Sequence, residues 1–474
     1  MEQWAREWLK EQRDKGVKCL EVKMQGKNHY VYHSTSYWDK ELKKPRKTSK
    51  YLGKLDPDKG LIKSGTIQSQ NIRNITEYGN SMLLSEMMKD LKPLLREGFP
   101  DCWREVSALA MVRVTGSVPL KRVKDAWEKL YDAEDIKPHL NTKKLSKVLH
   151  NVGMNRSGQN IIFNELMDLS KQLVYDLSSV FSRSIGISQA EPGYNKDKIQ
   201  VPQINLALLC SADSGLPTMI RSLPGSVKDI ATLYHSISEL NLRGKILVLD
   251  RGFFSMDVVN FLSGKHTYYV LPTRRNSHFY DTRIHLNGHL YYHDRLIRYG
   301  KRACDNFFLY LFEDQDLMLE ERKTLYRRLD DGKIDKKELR ERMKKAGKIL
   351  ILSNLDVAGT EIYELYKGRE TVEKMFDTYK TVLEADKIYL QDDESVFGHV
   401  FISFLSLYIH CKLEQILKKG ELNRKMTPVD LLFKYGKVYH VDLGDRGMVT
   451  EVPKKVRDLD ERLGLDIFPK VVRS

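Results

Sequence analysis

The stretch 245-KILVLDRGFFSMDVVNFLSGKHTYYVLPT-273 sets the architecture. It opens with 245-KILVLDRG-252, a short apolar run that ends on a charged residue and a glycine. Runs of that length and composition are buried inside sheets with both faces covered. The segment 255-SMDVVNFLSGK-265 then has helical spacing, and 267-TYYVLPT-273 is again strand-like. Upstream, 171-KQLVYDLSSVFSR-183 reads as a strand, and 203-QINLALLCSADSGLPTMIRSLPG-225 as two strands around a turn at 213-DSG-215. A helix over 228–240 follows. Strands, crossover helices and more strands predict an α/β core, a mixed sheet flanked by helices.

Residues 274–347 interrupt this pattern. Their first half, with 283-RIHLNGHLYYHDRLIRYG-300 and 306-NFFLYLF-312, is β-rich, and the second half is a highly charged helical pair joined near 331-DGK-333. A charged insertion between core elements points to a functional attachment. The sheet resumes at 348-KILILSN-354. The most hydrophobic run, 396-VFGHVFISFLSLYIHCKLEQIL-417, contains His399, His410, Lys412 and Glu414, which suits a buried core helix and not a membrane span. The expected domains are a basic β-rich region (1–95), a helical region (96–170), two core parts (171–273 and 348–418) around the insertion (274–347), and a C-terminal helical region (419–474).

With 474 residues, two to four domains are expected. The formal charge of +15 favours a polyanionic partner, usually nucleic acid. Five cysteines with no CxxC spacing exclude a zinc framework and a disulfide scaffold, and they suit a reducing cytoplasm. The charged, amphipathic start, MEQWAREWLKEQRDKG, is no secretory signal. In the N-terminal region 28-NHYVYHSTSYW-38 alternates as a strand, 43-KKPRK-47 reads as a loop or hairpin tip, and 50-KYLGKL-55 as a returning strand. Its interleaved aromatics and lysines suit DNA-backbone contact; a solvated face over a small core fits the same pattern. The stretch 142-TKKLSKVLHNVGMN-155 reads as the end of a helical, helix-turn-helix-like DNA-binding unit.

Asp176 sits inside the apolar strand 173-LVYDLSSV-180, and Asp250 ends 246-ILVLD-250. An uncompensated charge in such a strand costs several kcal/mol. Either aspartate alone could cap a helix or pair with an arginine. Two of them in one sheet, followed by an acid on a helix after the last strand, point to convergence around a hard divalent cation. Oxygen-only ligands suit Mg²⁺ or Mn²⁺, and two ions about 4 Å apart can act on a phosphodiester. The helix is 366-YKGRETVEKMFDTYK-380. At about 100° per residue, Tyr366, Arg369, Glu373 and Lys380 share a row, while Val372, Met375, Phe376 and Tyr379 form an adjacent apolar arc. Spacing alone does not choose among Glu370, Glu373 and Asp377 for the third acid.

The pattern Y-x₂-R-x₃-E-x₆-K, here Tyr366, Arg369, Glu373 and Lys380, resembles the signature of DDE transposases of the insertion-sequence-four group, whose core is RNase-H-like. The segments 174-VYDLSS-179, 223-LPGSVKD-229 and 247-LVLDRGFFS-255 resemble, in order, the family's first-aspartate segment, its proline-glycine turn and its second-aspartate segment. The insertion at 274–347 occupies the place of the family's insertion domain. Gly368 departs from a good helix former inside the signature, at up to about 1 kcal/mol. The helix is therefore expected to begin near it, leaving Tyr366 less firmly placed.

The resemblance implies that Asp176, Asp250 and Glu373 form the catalytic metal site, with Mg²⁺ (or Mn²⁺), two ions per site. It further implies that Tyr366, Arg369 and Lys380 contact DNA phosphates. The activity implied is cut-and-paste transposition on double-stranded DNA, at terminal inverted repeats and target, by a homodimer on paired ends in the cytoplasm, associated with the nucleoid. Similar enzymes form a hairpin with a base held out of the stack; Tyr291, Tyr292 and Phe279 are candidates for that by composition alone. A nuclease without strand transfer and a non-catalytic transposase-derived DNA-binding protein are the rivals. A phosphatase-like reading of the DRG segment lacks a phosphate-cradling glycine loop.

Overall fold

The computed structural model describes residues 2–469 apart from 27, 40–42, 64–71, 133, 135, 194–200, 228, 239 and 445. Lys228 and Glu239, within the helix expected over 228–240, therefore lie outside the described residues, as does the end of the chain from 470. The chain forms two compact units, Met1–Asn74 with Val441–Met448 and Ile75–His440 with Val449–Ser474.

In the first unit, helix α1 (Gln3–Asp14) precedes β1 (Leu20–Gln25), β2 (Asn28–Asp39), β3 (Lys44–Asp56) and β4 (Gly60–Lys63), an antiparallel sheet in that order. Ala5 and Leu9 of α1, flanked by Trp4 and Trp8, pack on Leu20, Val31 and Leu55, so the helix covers one sheet face only. Gly53 is required where β3 meets β4: its φ is +157°, and a Cβ there would lie 2.1 Å from the Ile62 carbonyl oxygen. Of the basic cluster expected as a loop or hairpin tip, Lys43 lies in a turn with φ +46°, whereas Lys44–Lys47 open strand β3. Hydroxyl pairs across the ribbon, Ser34–Ser49 at 2.8 Å and Thr35–Thr48 at 3.2 Å, extend the pairing that far.

The second unit opens with strand β5 (Asn74–Glu77) and helices α2 (Tyr78–Met87), α3 (Leu91–Gly98), α4 (Trp103–Thr115), α5 (Val123–Trp127), α6 (Thr142–Met154) and α7 (Arg156–Asp168). The core sheet follows: β6 (Gln172–Phe181), β7 (Gln203–Ser211), β8 (Pro217–Pro224), helix α8 (Asp229–Ile237), β9 (Ile246–Leu249), helix α9 (Met256–Gly264) and β10 (Tyr268–Pro272). β6, β7 and β8 are antiparallel neighbours, while β9 runs parallel to β6 and β10 parallel to β9. The resulting order β8-β7-β6-β9-β10 is that of an RNase-H-like core. Every residue of β7 is buried, as befits a strand covered on both faces.

The insertion supplies β11 (Gly288–Tyr292), β12 (Arg295–Ala303), β13 (Phe308–Asp314), α10 (Gln315–Asp330) and α11 (Lys336–Lys345). Its strands do not make a sheet of their own. Strand β14 (Lys348–Ser353) pairs with β10 on one edge and β13 on the other, so the insertion prolongs the core into one nine-stranded sheet. Helices α12 (Gly359–Lys367), α13 (Glu370–Asp377), α14 (Asp393–Lys419) and α15 (Pro428–Tyr435), strands β15 (Tyr439–Asp442) and β16 (Gly447–Val449), and helix α16 (Lys454–Leu463) complete the order.

Helix α14 is the spine of this unit. By length and composition it could cross a membrane, yet 89% of its most apolar window is buried inside the fold. It packs on α6, α4 and β8. Helix α6, the candidate helix-turn-helix element, faces α14 with Leu145, Val148, Leu149 and Val152 and leaves Lys143 and Lys147 exposed.

Inside this packing His399 of α14 lies 3.3 Å from the Arg113 guanidinium and 3.0 Å from the Ala385 carbonyl oxygen. Nε2–H therefore donates to Ala385, and Nδ1 accepts from Arg113, which fits a neutral ring. Burial, and then the Arg113 charge, push the imidazole down to about 3. The unfolded chain takes up that proton near pH 6.5, so this contribution to stability is full above about 6.5 and falls below it by up to about 1.4 kcal/mol per pH unit. His399→Gln is expected to shrink the stability lost between pH 7 and pH 5 by about 2 kcal/mol relative to the parent protein, read by urea unfolding. An unchanged loss would show that His399 is protonated in the fold.

Candidate functional site

The two aspartates are brought together by strand register. β6 and β9 pair in parallel with Tyr175 opposite Leu249, so Asp176 and Asp250 stand side by side one residue further on, on strands about 4.8 Å apart. Tyr175 points into the core and is fully buried, whereas Asp176 is half-buried, its Oδ1 accepting the Leu177 N–H at 2.8 Å. Asp250 ends its strand and caps the short turn Arg251–Phe253, accepting the Gly252 N–H at 3.5 Å.

The third element is a broken helix. α12 stops at Lys367, α13 starts at Glu370, and a single π-turn spans Thr378–Val382. The break falls at Gly368, and a π-turn within a helix is frequent at functional sites. The ideal row through Tyr366, Arg369, Glu373 and Lys380 is thus interrupted twice, although the Arg369–Glu373 step remains i,i+4. The apolar arc is buried as patterned: Val372, Met375, Phe376 and Tyr379 all face the core, with α13 against β6 and β7.

Arg369 is the hub. Its Nη1 is bonded to Asp250 Oδ1, and its Nη2 lies 3.2 Å from Glu373 Oε1. Burial alone would lower its pKa, but the charges of Asp250, Tyr366, Glu373 and Asp176 outweigh that and raise it. All three predicted acids therefore act on one guanidinium. The Tyr366 ring lies 5.8 Å from that group, and burial raises its phenol above the ordinary value, against the pull of Arg369. Of the two other acids on the helix, Glu370 pairs with Lys367 at 3.3 Å, and Asp377 is exposed. Lys380 donates to the Ser179 carbonyl at 2.9 Å, tying the π-turn to the strand that carries Asp176.

Asp176, Asp250, Arg369 and Lys380 line a cleft of about 1510 Å³ whose far wall is the helical pair of the insertion. Eight arginine and lysine side chains line it against four carboxylates, so it is set for an anion. Arg251, Arg274, Arg275, Arg328 and Arg342 were not singled out from the sequence. They lie in three separate segments, and only the run 274-RR-275 was a local cue. Arg274 donates to the Gly252 carbonyl and Arg275 pairs with Glu321 at 2.9 Å, while Arg251 and Arg328 carry no ion pair among the described residues.

As to a metal, the converging donors are carboxylate oxygens without histidine or thiol, which suits a hard divalent ion. Asp176 and Asp250 on adjacent strands fit such an ion. The only trio of ligand-type side chains within 4.8 Å of one another among the described residues is elsewhere, at His150, Asp392 and Glu394. The three site acids stand wider apart, around the Arg369 guanidinium. Among the aromatic candidates of the insertion, Tyr291 is 71% exposed, Tyr292 packs edge-on to Tyr363, and Phe279 packs against Phe254 and Phe307.

An RNase-H-like sheet with one acid within β6, another just past the end of the neighbouring parallel strand β9, and a third on the helix after the last core strand defines the class of the fold and its site. Residues 135–409, more than half of the chain, match the family described as the transposase DDE domain, and the chain belongs to that family. Among solved structures, the piggyBac transposase synaptic complex with hairpin DNA, seen by cryo-electron microscopy, is similar at 12% identity and a TM-score of 0.36, over 84% of this chain and 86% of that one. No curated protein matches the sequence.

Proposed function

We propose that this protein is a cut-and-paste DNA transposase of the insertion-sequence-four group, acting on the inverted repeats of its own element and on target DNA. The observation that carries the reading is the shared guanidinium: Asp250 and Glu373 meet on Arg369 at the edge of a basic cleft that Asp176 also lines. Two Mg²⁺ (or Mn²⁺) ions held by Asp176, Asp250 and Glu373 would supply Lewis acidity for phosphodiester hydrolysis and for attack by a 3′-hydroxyl. Arg369 holds two of the acids in register and brings a positive charge to the place of the scissile phosphate. Lys380 and Tyr366 flank it on the strand and helix sides, and the arginines of the cleft wall contact phosphates further along the backbone. A homodimer would pair the two element ends.

A joining assay tests this. With Mg²⁺, the protein is expected to insert pre-cut ends bearing 3′-hydroxyls into supercoiled plasmid; hydrolysis without joined product would favour a plain nuclease. Lys380→Ala is expected to weaken DNA binding and to lower the slope of log affinity against log salt by about 0.9 for one lost phosphate contact. An unchanged slope would confine Lys380 to its bond with Ser179.

A further inference from the structure

We infer that the β2–β3 ribbon of the N-terminal unit enters the major groove of duplex DNA and reads base edges there. The inference rests on the transposase reading and adds the recognition surface that reading leaves unassigned. β1 pairs with β2 only as far as His33, and β4 pairs with β3 only from Gly53 onward. Between Thr35–Asp39 and Lys44–Thr48 the two strands are therefore partnered only by each other among the described strands. Every residue from Lys44 to Tyr51 is exposed, on both faces of the strand. Such a segment adds nothing to a core, and a bare two-stranded ribbon is marginally stable at best. It is held open instead by cross-strand hydroxyls, Ser34 with Ser49 and Thr35 with Thr48.

Its shape and chemistry name the occupant. A major groove about 12 Å wide admits a two-stranded ribbon, and six residues of strand reach about 20 Å along it. Residues 33–39 and 43–50 hold five cations, Lys43, Lys44, Arg46, Lys47 and Lys50, against one acid, Asp39. Lys47 is bonded to Glu21 at 2.6 Å and Arg46 lies 3.5 Å from Asp39, while Lys44 and Lys50 carry no ion pair among the described residues. On the face that α1 leaves bare, Trp38 is 62% exposed and Tyr51 41%. Arg46 and Lys50, paired with Tyr37 and His33, lie on the opposite face together with the Thr35–Thr48 pair, and it is that face whose arginine, lysine and threonyl groups can read guanine O6 and N7 and the thymine methyl.

The test uses the full chain, with chelator present so that no strand is cut, and short duplexes tiled across the DNA bordering the gene. Dimethyl sulfate footprints of the tightest-bound tile are expected to show guanine N7 protection. Arg46→Ala and Lys50→Ala, both at exposed positions, should remove part of that protection and weaken binding about tenfold or more. Parent-like affinity in both variants, a footprint without N7 protection, or tighter binding to the single strands than to the duplex would overturn it; the last would indicate ring stacking on Tyr30, Tyr32 and Tyr51. Because the readout needs no cleavage, a protein that joins ends but lacks N7 protection loses only the ribbon. Protection by a protein that never cuts supports the ribbon and sinks the transposase reading.

Discussion

Glu373→Gln is expected to slow strand cleavage by about a thousandfold or more, the several kcal/mol that metal-assisted phosphodiester chemistry draws from its ligands. Glutamine keeps the shape of Glu373 and can still accept from Arg369, so the change isolates the charge. Asp176→Ala and Asp250→Ala should be as damaging, since each removes one of two carboxylates that neighbour each other on adjacent parallel strands. DNA affinity should hold or rise in all three, because each variant deletes a negative charge from a cleft that binds a polyanion. The contrast is Glu370→Gln, one turn away on the same helix. Glu370 is paired with Lys367 and not with Arg369, so its loss is expected to leave cleavage within about twofold, the size of an exposed ion pair. Measured rates of nicking at a labelled end decide it. Parent-like cleavage by Glu373→Gln, or collapse with Glu370→Gln, would move the third acid.

The core strands were legible because each is a short apolar run bounded by turn residues, and their order came from the alternation with helices. The aspartates stood out for a local reason, a charge inside or at the end of such a run. Less local features did not show. Whether β11–β13 form a separate sheet or extend the core depends on β14 having both edges free to pair, which no window of sequence contains. The ideal row on the signature helix assumed unbroken 100° steps; the break near Gly368 was legible in the glycine itself, whereas the π-turn at Thr378–Val382, which packs on α14, was not. Arg369 was read as a phosphate ligand. Its engagement with Asp250, 119 positions away, is a tertiary fact. The alternation of residues 28–38 gave a strand, but the lysines at 43–47 hid the length of its partner.

Gly398→Ala and Gly153→Ala are each expected to lower stability by about 3 kcal/mol or more, a large loss for a single methyl group. A Cβ on Gly398 would sit 1.9 Å from the Leu149 carbonyl oxygen, and one on Gly153 would sit 1.8 Å from the Glu394 carbonyl oxygen. Both obstacles are backbone of the facing helix, so no side chain can turn aside and α6 must move off α14. The double variant should cost less than the sum, because the second methyl meets helices already parted. Gly264→Ala, at the end of α9 with nothing within 4 Å of the added carbon, should be neutral or slightly stabilising. Urea unfolding measures all four; a change under about 0.5 kcal/mol in Gly398→Ala would mean that the crossing is looser than its geometry. The consequence reaches the site. α14 carries His399 and Ser403 against Arg113, and it packs on the π-turn whose Tyr379 precedes Lys380. A shifted α14 draws that turn away from β6 and strains the bond from Lys380 to Ser179, so cleavage should fail in these variants at a lower temperature than global unfolding alone would set.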